Sequence, residues 1–256
     1  MSQVSSVRAT AYSLAVAMLL ATSPTTARAQ ARGAQTPQTA RASAPIDLTG
    51  YWVSVVTQDW RWRMVTPPKG DYASIPITLE AKKVGDAWDP GRDEAAGEQC
   101  RSYGAPALMA VPTRLRISWQ DDNALKVETD AGTQTRLFRF GSGKPRGGAA
   151  TWQGDSVAEW QRPRPARGAA TKGGSLKVMT TRVRPGYLRK NGVPYSGDVV
   201  LTEYWDVSAN PNGDPWITIT STVEDPQYLR EPWVTAINFR KERDGAKWEP
   251  TACTAR

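Results

Sequence analysis

The stretch RLRISWQDDNALKVETDAGTQTRLFRF, residues 114–140, consists of three strand-like runs separated by two turn clusters. RLRISWQ (114–120) alternates apolar with polar residues, as a strand with two unlike faces requires, and ALKVETD (124–130) and TRLFRF (135–140) do so over part of their length. Asp121-Asp122-Asn123 and Asp130-Ala131-Gly132 supply the turn residues between them. The stretch therefore reads as an antiparallel meander.

The same pattern continues on both sides. LTGYWVSVV (48–56) and WRWRMV (60–65) precede the meander. TWQGDSVAEWQ (151–161), SLKVMTTRVR (175–184), VVLTEYWDVS (199–208), WITITSTVE (216–224) and VTAINFRKE (234–242) follow it. Lys190-Asn191-Gly192 and Asn210-Pro211-Asn212-Gly213-Asp214 mark turns between the later runs. One stretch reads as helix, TLEAKKVGDAW (78–88), with Thr78 as N-cap, Pro90 as stop, and Leu79, Val84 and Trp88 near one face. A second short helix is expected over Asp93–Gln99. About eight to ten strands in hairpin order, with helix confined to one insertion, predict a single all-β antiparallel barrel.

The ends and the composition bound what this barrel does. Arg8, the apolar run 10–21 and Ala27-Arg28-Ala29 form a Sec-type signal peptide over residues 1–29, with cleavage expected after Ala29 and delivery to the periplasm or beyond. Residues 30–46, rich in Ala, Gln, Thr and Pro, read as a disordered leader, and 47–256 as the domain. The net charge of +8 includes Arg8, Arg28, Arg32 and Arg41 in a segment without acids, so the domain carries only +4. That is too mild to indicate a nucleic-acid partner. The excess is local, between Arg162 and Lys190, where RPRPARGAATKGG reads as an exposed loop. No segment of the mature chain reads as transmembrane, and the pattern leaves the oligomeric state open.

Histidine is absent, which removes Ser-His-Asp and Cys-His catalysis and the ordinary zinc, copper and haem sites. No cofactor motif and no metal site is expected. The two cysteines, Cys100 and Cys253, are expected to form a disulfide in an exported chain. The chain also holds 11 tryptophans, which suit an aromatic-lined cavity for a flat molecule and suit a solid core equally well.

Candidate site residues come from the same alternation. In VVLTEYWD, Leu201, Glu203 and Trp205 share one face, and Thr202, Tyr204 and Asp206 the other. Glu203 on an apolar face needs a cation or acts as an acid–base group. DWRWRM (59–64), read as a strand, places Trp60, Trp62 and Met64 opposite Asp59, Arg61 and Arg63. Either the tryptophans cover the 78–88 helix and Arg61 or Arg63 points inward to pair with Glu203 or a ligand, or the arginines are solvated. Leu79 and Trp88, which outward tryptophans could cover, favour the first. YLRKNGVPYS (187–196) is either a polar hairpin tip or a rim on which Tyr187, Arg189, Lys190 and Tyr195 orient an anionic or phenolic ligand. Glu224-Asp225-Pro226 forms a turn or contributes Glu224 to a site at the barrel mouth. The ligand set is thus Arg61, Arg63, Glu203, Trp205, Tyr187, Tyr195 and Glu224, with Glu203, Tyr204 and Asp59 as catalytic candidates.

Two resemblances sharpen these expectations. Gly50-Tyr51-Trp52 at the first strand and NFRKE (238–242) at the last resemble the end motifs of lipocalin and avidin (calycin) barrels. That resemblance implies a calycin-like barrel in which Arg240 or Lys241 covers Trp52. The pieces WQGDSVAEW, SLKVMTT, NGVPYS, LTEYW and VEDPQYLREPW, with DPGRDEAAGEQC and GAPALM upstream, are similar to a family of exported bacterial proteins with no established activity. It implies fold and export, not chemistry. The expected function is binding of a small, partly apolar or aromatic ligand in a Trp-rich cavity with an internal carboxylate–arginine set. A histidine-independent periplasmic enzyme (isomerase, lyase or hydrolase) and an envelope interaction module are the alternatives.

Overall fold

A computed structural model of the protein describes residues 38–141, 148–163 and 173–256. The signal-peptide reading and most of the exposed basic loop, 164–172, lie outside the described residues.

Nine strands close into a barrel. Strand β1 (Gly50–Val55) is followed by a one-turn helix α1 (Trp60–Arg63), then α2 (Leu79–Asp86), α3 (Pro90–Ala95), a 3-10 turn (Gln99–Tyr103) and α4 (Ala105–Leu108). The meander follows as β2 (Arg114–Asp121), β3 (Ala124–Thr129) and β4 (Thr135–Phe140), then β5 (Asp155–Gln161) and β6 (Ser175–Thr181). A small hairpin, β7 (Gly186–Arg189) and β8 (Val193–Tyr195), stands apart from the barrel sheet. Strands β9 (Val200–Ala209), β10 (Pro215–Glu224) and β11 (Trp233–Glu242) complete it. The order around the barrel is β1-β11-β10-β9-β6-β5-β4-β3-β2, with β2 pairing back onto β1.

One pair departs from the expected antiparallel arrangement. Strands β4 and β5 run parallel, with Phe138 opposite Ser156 and Phe140 opposite Ala158. A parallel neighbour needs a crossover of about a dozen residues, and the connection 141–154 has that length.

The largest correction concerns DWRWRM. It is no strand: β1 stops at Val55, Asp59 takes a left-handed conformation (φ 50°), and residues 60–63 turn once as a helix. The physical reason is closure. Strand β1 already pairs β2 on one side and β11 on the other, so a further strand has no edge to join. Helical spacing then puts Asp59, Trp62, Arg63 and Thr66 on one face while Trp60 is exposed. The expected packing of Trp60 and Trp62 on the 78–88 helix is overturned with it.

That helix also buries a different face. Thr78 caps α2 as expected, its hydroxyl accepting from the Ala81 amide (3.2 Å), but Leu79 is exposed and Ala81 and Gly85 face inward. Pro90, expected to stop α2, begins α3 instead, where its missing N–H costs nothing. The Asp89 carboxylate caps that helix by accepting from the amides of Gly91 (3.0 Å) and Arg92 (3.3 Å).

The lumen is filled by the inward faces of the strands. Trp52, Leu115, Ile117, Leu125, Val127, Phe138, Val178, Trp205, Ile219 and Phe239 belong to one buried cluster. Trp52 donates its indole N–H to the Leu48 carbonyl (2.9 Å), and the Lys241 ammonium stands 4.4 Å above its ring. Lys241, rather than the exposed Arg240, thus makes the cover expected at the barrel floor. Gly50 makes room for it: its φ is 110°, and a Cβ there would meet Lys241 Nζ at 3.0 Å.

Both ends are capped. At one, residues 39–43 turn against the barrel: Trp160 donates to the Ala40 carbonyl (2.8 Å), and Ile46 joins Trp119, Phe140 and Trp160 at the edge of the core. Residues 38–46, expected to be leader, are in this respect part of the fold. At the other, a second cluster centred on Leu188, Val193, Tyr195, Val199, Leu229 and Trp233 closes over Leu201 and Val223. The 187–196 segment is therefore no polar tip. Tyr187, Arg189, Asn191 and Tyr195 are all buried in this cap.

The cap is tightly fitted at Tyr195. A Cβ on Gly104 would lie 1.9 Å from the Tyr195 hydroxyl, and one on Gly186 2.5 Å from it. Gly104→Ala is expected to lower stability by about 1–3 kcal/mol through overpacking, read as a fall in urea midpoint. Tyr195→Phe should recover part of that loss, since the nearest remaining ring atom would be 3.1 Å away. An unchanged midpoint would show that the hydroxyl is not wedged there.

Among the described residues no helix is long and apolar enough to cross a membrane.

Candidate functional site at the barrel mouth

Two arrangements of charge set this molecule apart from a plain barrel, and the first lies inside it. Alternation in β9 does point Leu201, Glu203 and Trp205 inward. The cation that meets Glu203 is Arg136 of β4, not Arg61 or Arg63. Arg136 donates from Nη1 to Glu203 Oε1 (2.9 Å) and from Nη2 to Oε2 (2.6 Å), with a third bond to the Thr180 hydroxyl (3.1 Å). Thr180 in turn shares a hydrogen bond with Ser156 (2.8 Å). Both charged side chains are sealed from solvent, at 0% and 1% exposure. A bidentate pair of this kind engages both carboxylate oxygens and fixes the carboxylate in place.

The second arrangement is a cavity of about 170 Å3 between the barrel and its cap. Its walls come from α1 and its flanks (Asp59, Trp62, Arg63), the turn after α4 (Ala110, Val111), β7 and its turn (Leu188, Arg189, Lys190), and the start of β11 (Trp233, Thr235, Ile237). Neither Arg136 nor Glu203 lines it. The expected internal carboxylate–arginine set and the cavity are thus separate features.

Arg63 and Arg189 give the cavity its character. Arg63 is held by the Ala110 carbonyl (2.9 Å from Nε) and the Ser54 hydroxyl (2.8 Å from Nη2). Arg189 donates to the Ala73 carbonyl (3.0 Å) and the Ser74 hydroxyl (3.1 Å). Its guanidinium carbon stands 5.0 Å from the Trp62 ring centre. Both side chains are buried, and among the described residues neither forms an ion pair. Neutral oxygens fix where the guanidinium groups sit but leave their charge uncompensated. Burial accordingly lowers the pKa of Arg63, and lowers that of Arg189 to about 10, against weaker opposing pulls from Asp59 on both and from Asp71 on Arg189.

Lys190 is engaged differently. Its ammonium donates to the Tyr103 hydroxyl (2.7 Å) and to Thr254 (3.0 Å), which turns it toward the C-terminal segment.

The remaining candidates scatter. Arg61 is exposed and pairs with Asp71 (3.3 Å) on the outer surface. Tyr204 points outward from β9, and Glu224 is exposed at the end of β10. Trp205 packs edge-on against Phe138 (5.3 Å) inside the barrel. The sequence neighbour of Glu224, Asp225, is a buried turn former that accepts from Ser196, Gln227 and Tyr228. Tyr187 and Tyr195 line a second hollow, of about 360 Å3, with Trp88, Asp93 and Arg101. There the charges are already matched, since Arg101 pairs with Asp93 (2.8 Å), and burial raises Tyr187 to about 12. The unmatched charge lies at the mouth.

The sequence reading missed Arg136, the partner of Glu203, and in the cavity wall Leu188, Trp233 and Ile237. The signal for Arg136 was present in TRLFRF, where alternation aligns it with Phe138 and Phe140, the same rule that exposed Glu203. Trp233 carried no signal beyond its type. No protein-family model matches the chain, and no curated protein matches it in sequence.

Proposed function

We propose that this protein is an exported binding barrel that holds one small, partly apolar organic molecule in the cavity between barrel and cap. The observation that carries this reading is that cavity: Trp62, Leu188, Trp233 and Ile237 wall it, and two buried arginines without acidic partners border it. A concave site with an apolar wall and a few convergent polar groups is the usual form of a small-molecule site. A fold that needed only stability gains nothing from burying uncompensated guanidinium groups, because each carries a desolvation cost. Export is supported by the signal-like N-terminal segment and by the Cys100–Cys253 disulfide, which persists in an oxidising compartment. The lumen itself is packed with side chains, so the ligand is placed at the mouth rather than deep in the barrel.

Native mass spectrometry of protein taken from its own periplasm should show a retained small molecule. Ala110→Trp, which fills the cavity from the α4 side, should abolish retention with little change in melting temperature. Equal retention by both forms, or an empty wild-type protein that no small organic compound stabilises against heat, would rule the site out.

A further inference from the structure

The chemistry of the cavity narrows what it holds, on the reading that the cavity is the binding site. Three quantities bear on the ligand: charge, size and the shape of the polar end.

Charge comes first. The groups facing the cavity are the cations Arg63, Arg189 and Lys190 and the carboxylate Asp59. The Lys190 ammonium, bonded to the neutral hydroxyls of Tyr103 and Thr254, keeps its charge. Against these three cations stand Asp59, whose attraction reaches both Arg63 and Arg189, and Asp71, which acts on Arg189 while pairing with the exposed Arg61. The cavity keeps a net positive charge, which an anion neutralises.

Size comes next. An apolar cavity of about 150 Å3 accepts benzene. The mouth cavity, at about 170 Å3, therefore has room for one six-membered ring and a small substituent.

The polar end follows from the donors. A guanidinium has five N–H groups. Arg189 commits one bond from each terminal nitrogen to Ala73 and Ser74. Arg63 commits Nε and Nη2 at short range and reaches the Gln58 carbonyl only at 3.5 Å from Nη1. Both keep N–H groups to spare. Planar forks of this kind match the two oxygens of a carboxylate. The Trp62 ring, already under Arg189, and the side chains of Leu188, Trp233 and Ile237 then meet the apolar end.

We infer that the ligand is a single-ring aromatic monocarboxylate, its carboxylate held between Arg63 and Arg189 and its ring against Trp62 and Trp233. Arg63 and Arg189 act as binding residues here: the neutral oxygens hold their guanidinium groups in place, and the spare N–H groups meet the anion.

The test uses the mature, disulfide-bonded protein and four probes of nearly equal size: benzoate, phenylacetate, benzamide and phenyl phosphate. Calorimetric titration should show that benzoate or phenylacetate binds, with benzamide weaker by on the order of tenfold or more. Arg189→Gln should weaken the carboxylates by on the order of tenfold and leave benzamide unchanged. Arg63→Gln should do the same. Should that variant melt early, Arg63→Lys, which keeps the charge and loses the fork, supplies the reading, with a smaller loss confined to the carboxylates. Benzamide binding as tightly as benzoate, or phenyl phosphate binding tighter than both, overturns the carboxylate assignment and leaves the cavity's role standing. Failure of all four probes while the wild-type protein still retains a cellular molecule overturns the single-ring class alone. Failure of all four with no retained molecule overturns both readings.

Discussion

Removing either member of the Arg136–Glu203 pair is expected to cost about 3–5 kcal/mol of folding stability, while removing both together should cost far less. The asymmetry follows from burial. The two side chains are closed off from water and satisfy each other through two short hydrogen bonds. Arg136→Met leaves a buried carboxylate on the same strand face as Leu201 and Trp205 without its cation. Glu203→Gln leaves a guanidinium facing an amide that returns one acceptor instead of two charged ones. The Arg136→Met, Glu203→Leu double variant removes both charges and keeps the volume, so its stability should return to within about 1–2 kcal/mol of wild type. Denaturant midpoints of the four proteins complete the cycle. Single variants within about 1 kcal/mol of wild type would mean that water or a rearranged partner reaches the site. The double variant should also keep its ligand, because neither residue lines the mouth cavity. A stable double variant that no longer binds would move the pair into the site.

The pair also shows what alternation discloses and what it does not. A period of two gives the face on which a side chain lies, and it placed Glu203 inward correctly. It gives no information about which strands face one another across a barrel. Between β4 and β9 lie β5 and β6, so Arg136 reaches Glu203 across the lumen and not along a ladder. Closure depends on the pairing of β1 with β2 and β11, contacts between residues far apart in sequence. The same closure explains the misreading of residues 59–64. Alternating Trp and Arg fit a strand, but Asp59, Trp62, Arg63 and Thr66 also fit one face of a helical turn, and only the lack of a free edge decides between them.

The cap was hidden for a different reason. Its polar residues look solvated because their partners are backbone carbonyls in a loop with no pattern of its own. Asn191 donates to the carbonyls of Pro68 (3.1 Å) and Asp71 (2.8 Å), and Arg189 to that of Ala73. These bonds satisfy part of a run such as YLRKNGVPYS on burial, while the Tyr195 hydroxyl and the Asn191 side-chain oxygen have no partner among the described residues. The mouth cavity is built from four segments that meet only once this cap has closed. The sequence reading did name Arg63, Arg189 and Lys190, yet it assigned them to two unrelated places.

Loss of the Cys100–Cys253 disulfide is expected to lower stability by about 5 kcal/mol on the chain-entropy model. The bond joins residues 153 apart, so it closes a loop that contains every barrel strand except β1. In the unfolded chain that link removes a large share of the accessible conformations. In the folded chain it adds little that other contacts do not already hold. Thr251 pairs its amide with the Asp130 carbonyl (2.9 Å), and Thr133 donates to the Thr251 carbonyl (2.9 Å). Thr254 binds Tyr103 and Lys190 from the residue after Cys253. The C-terminal strap should therefore stay in place when Cys100→Ala, Cys253→Ala protein is folded, and the loss should appear through the unfolded state. Two signatures follow. The urea midpoint falls, and the dependence of stability on urea steepens, because the uncrosslinked unfolded chain exposes more surface. Binding at the mouth, measured with benzoate well below the transition, should be nearly unchanged, since Lys190 keeps its partners. A midpoint shift worth less than about 1 kcal/mol would show that the reduced chain keeps its ends together when unfolded. A large loss of binding with the fold intact would show instead that the strap's position, and with it Lys190, depends on the covalent link.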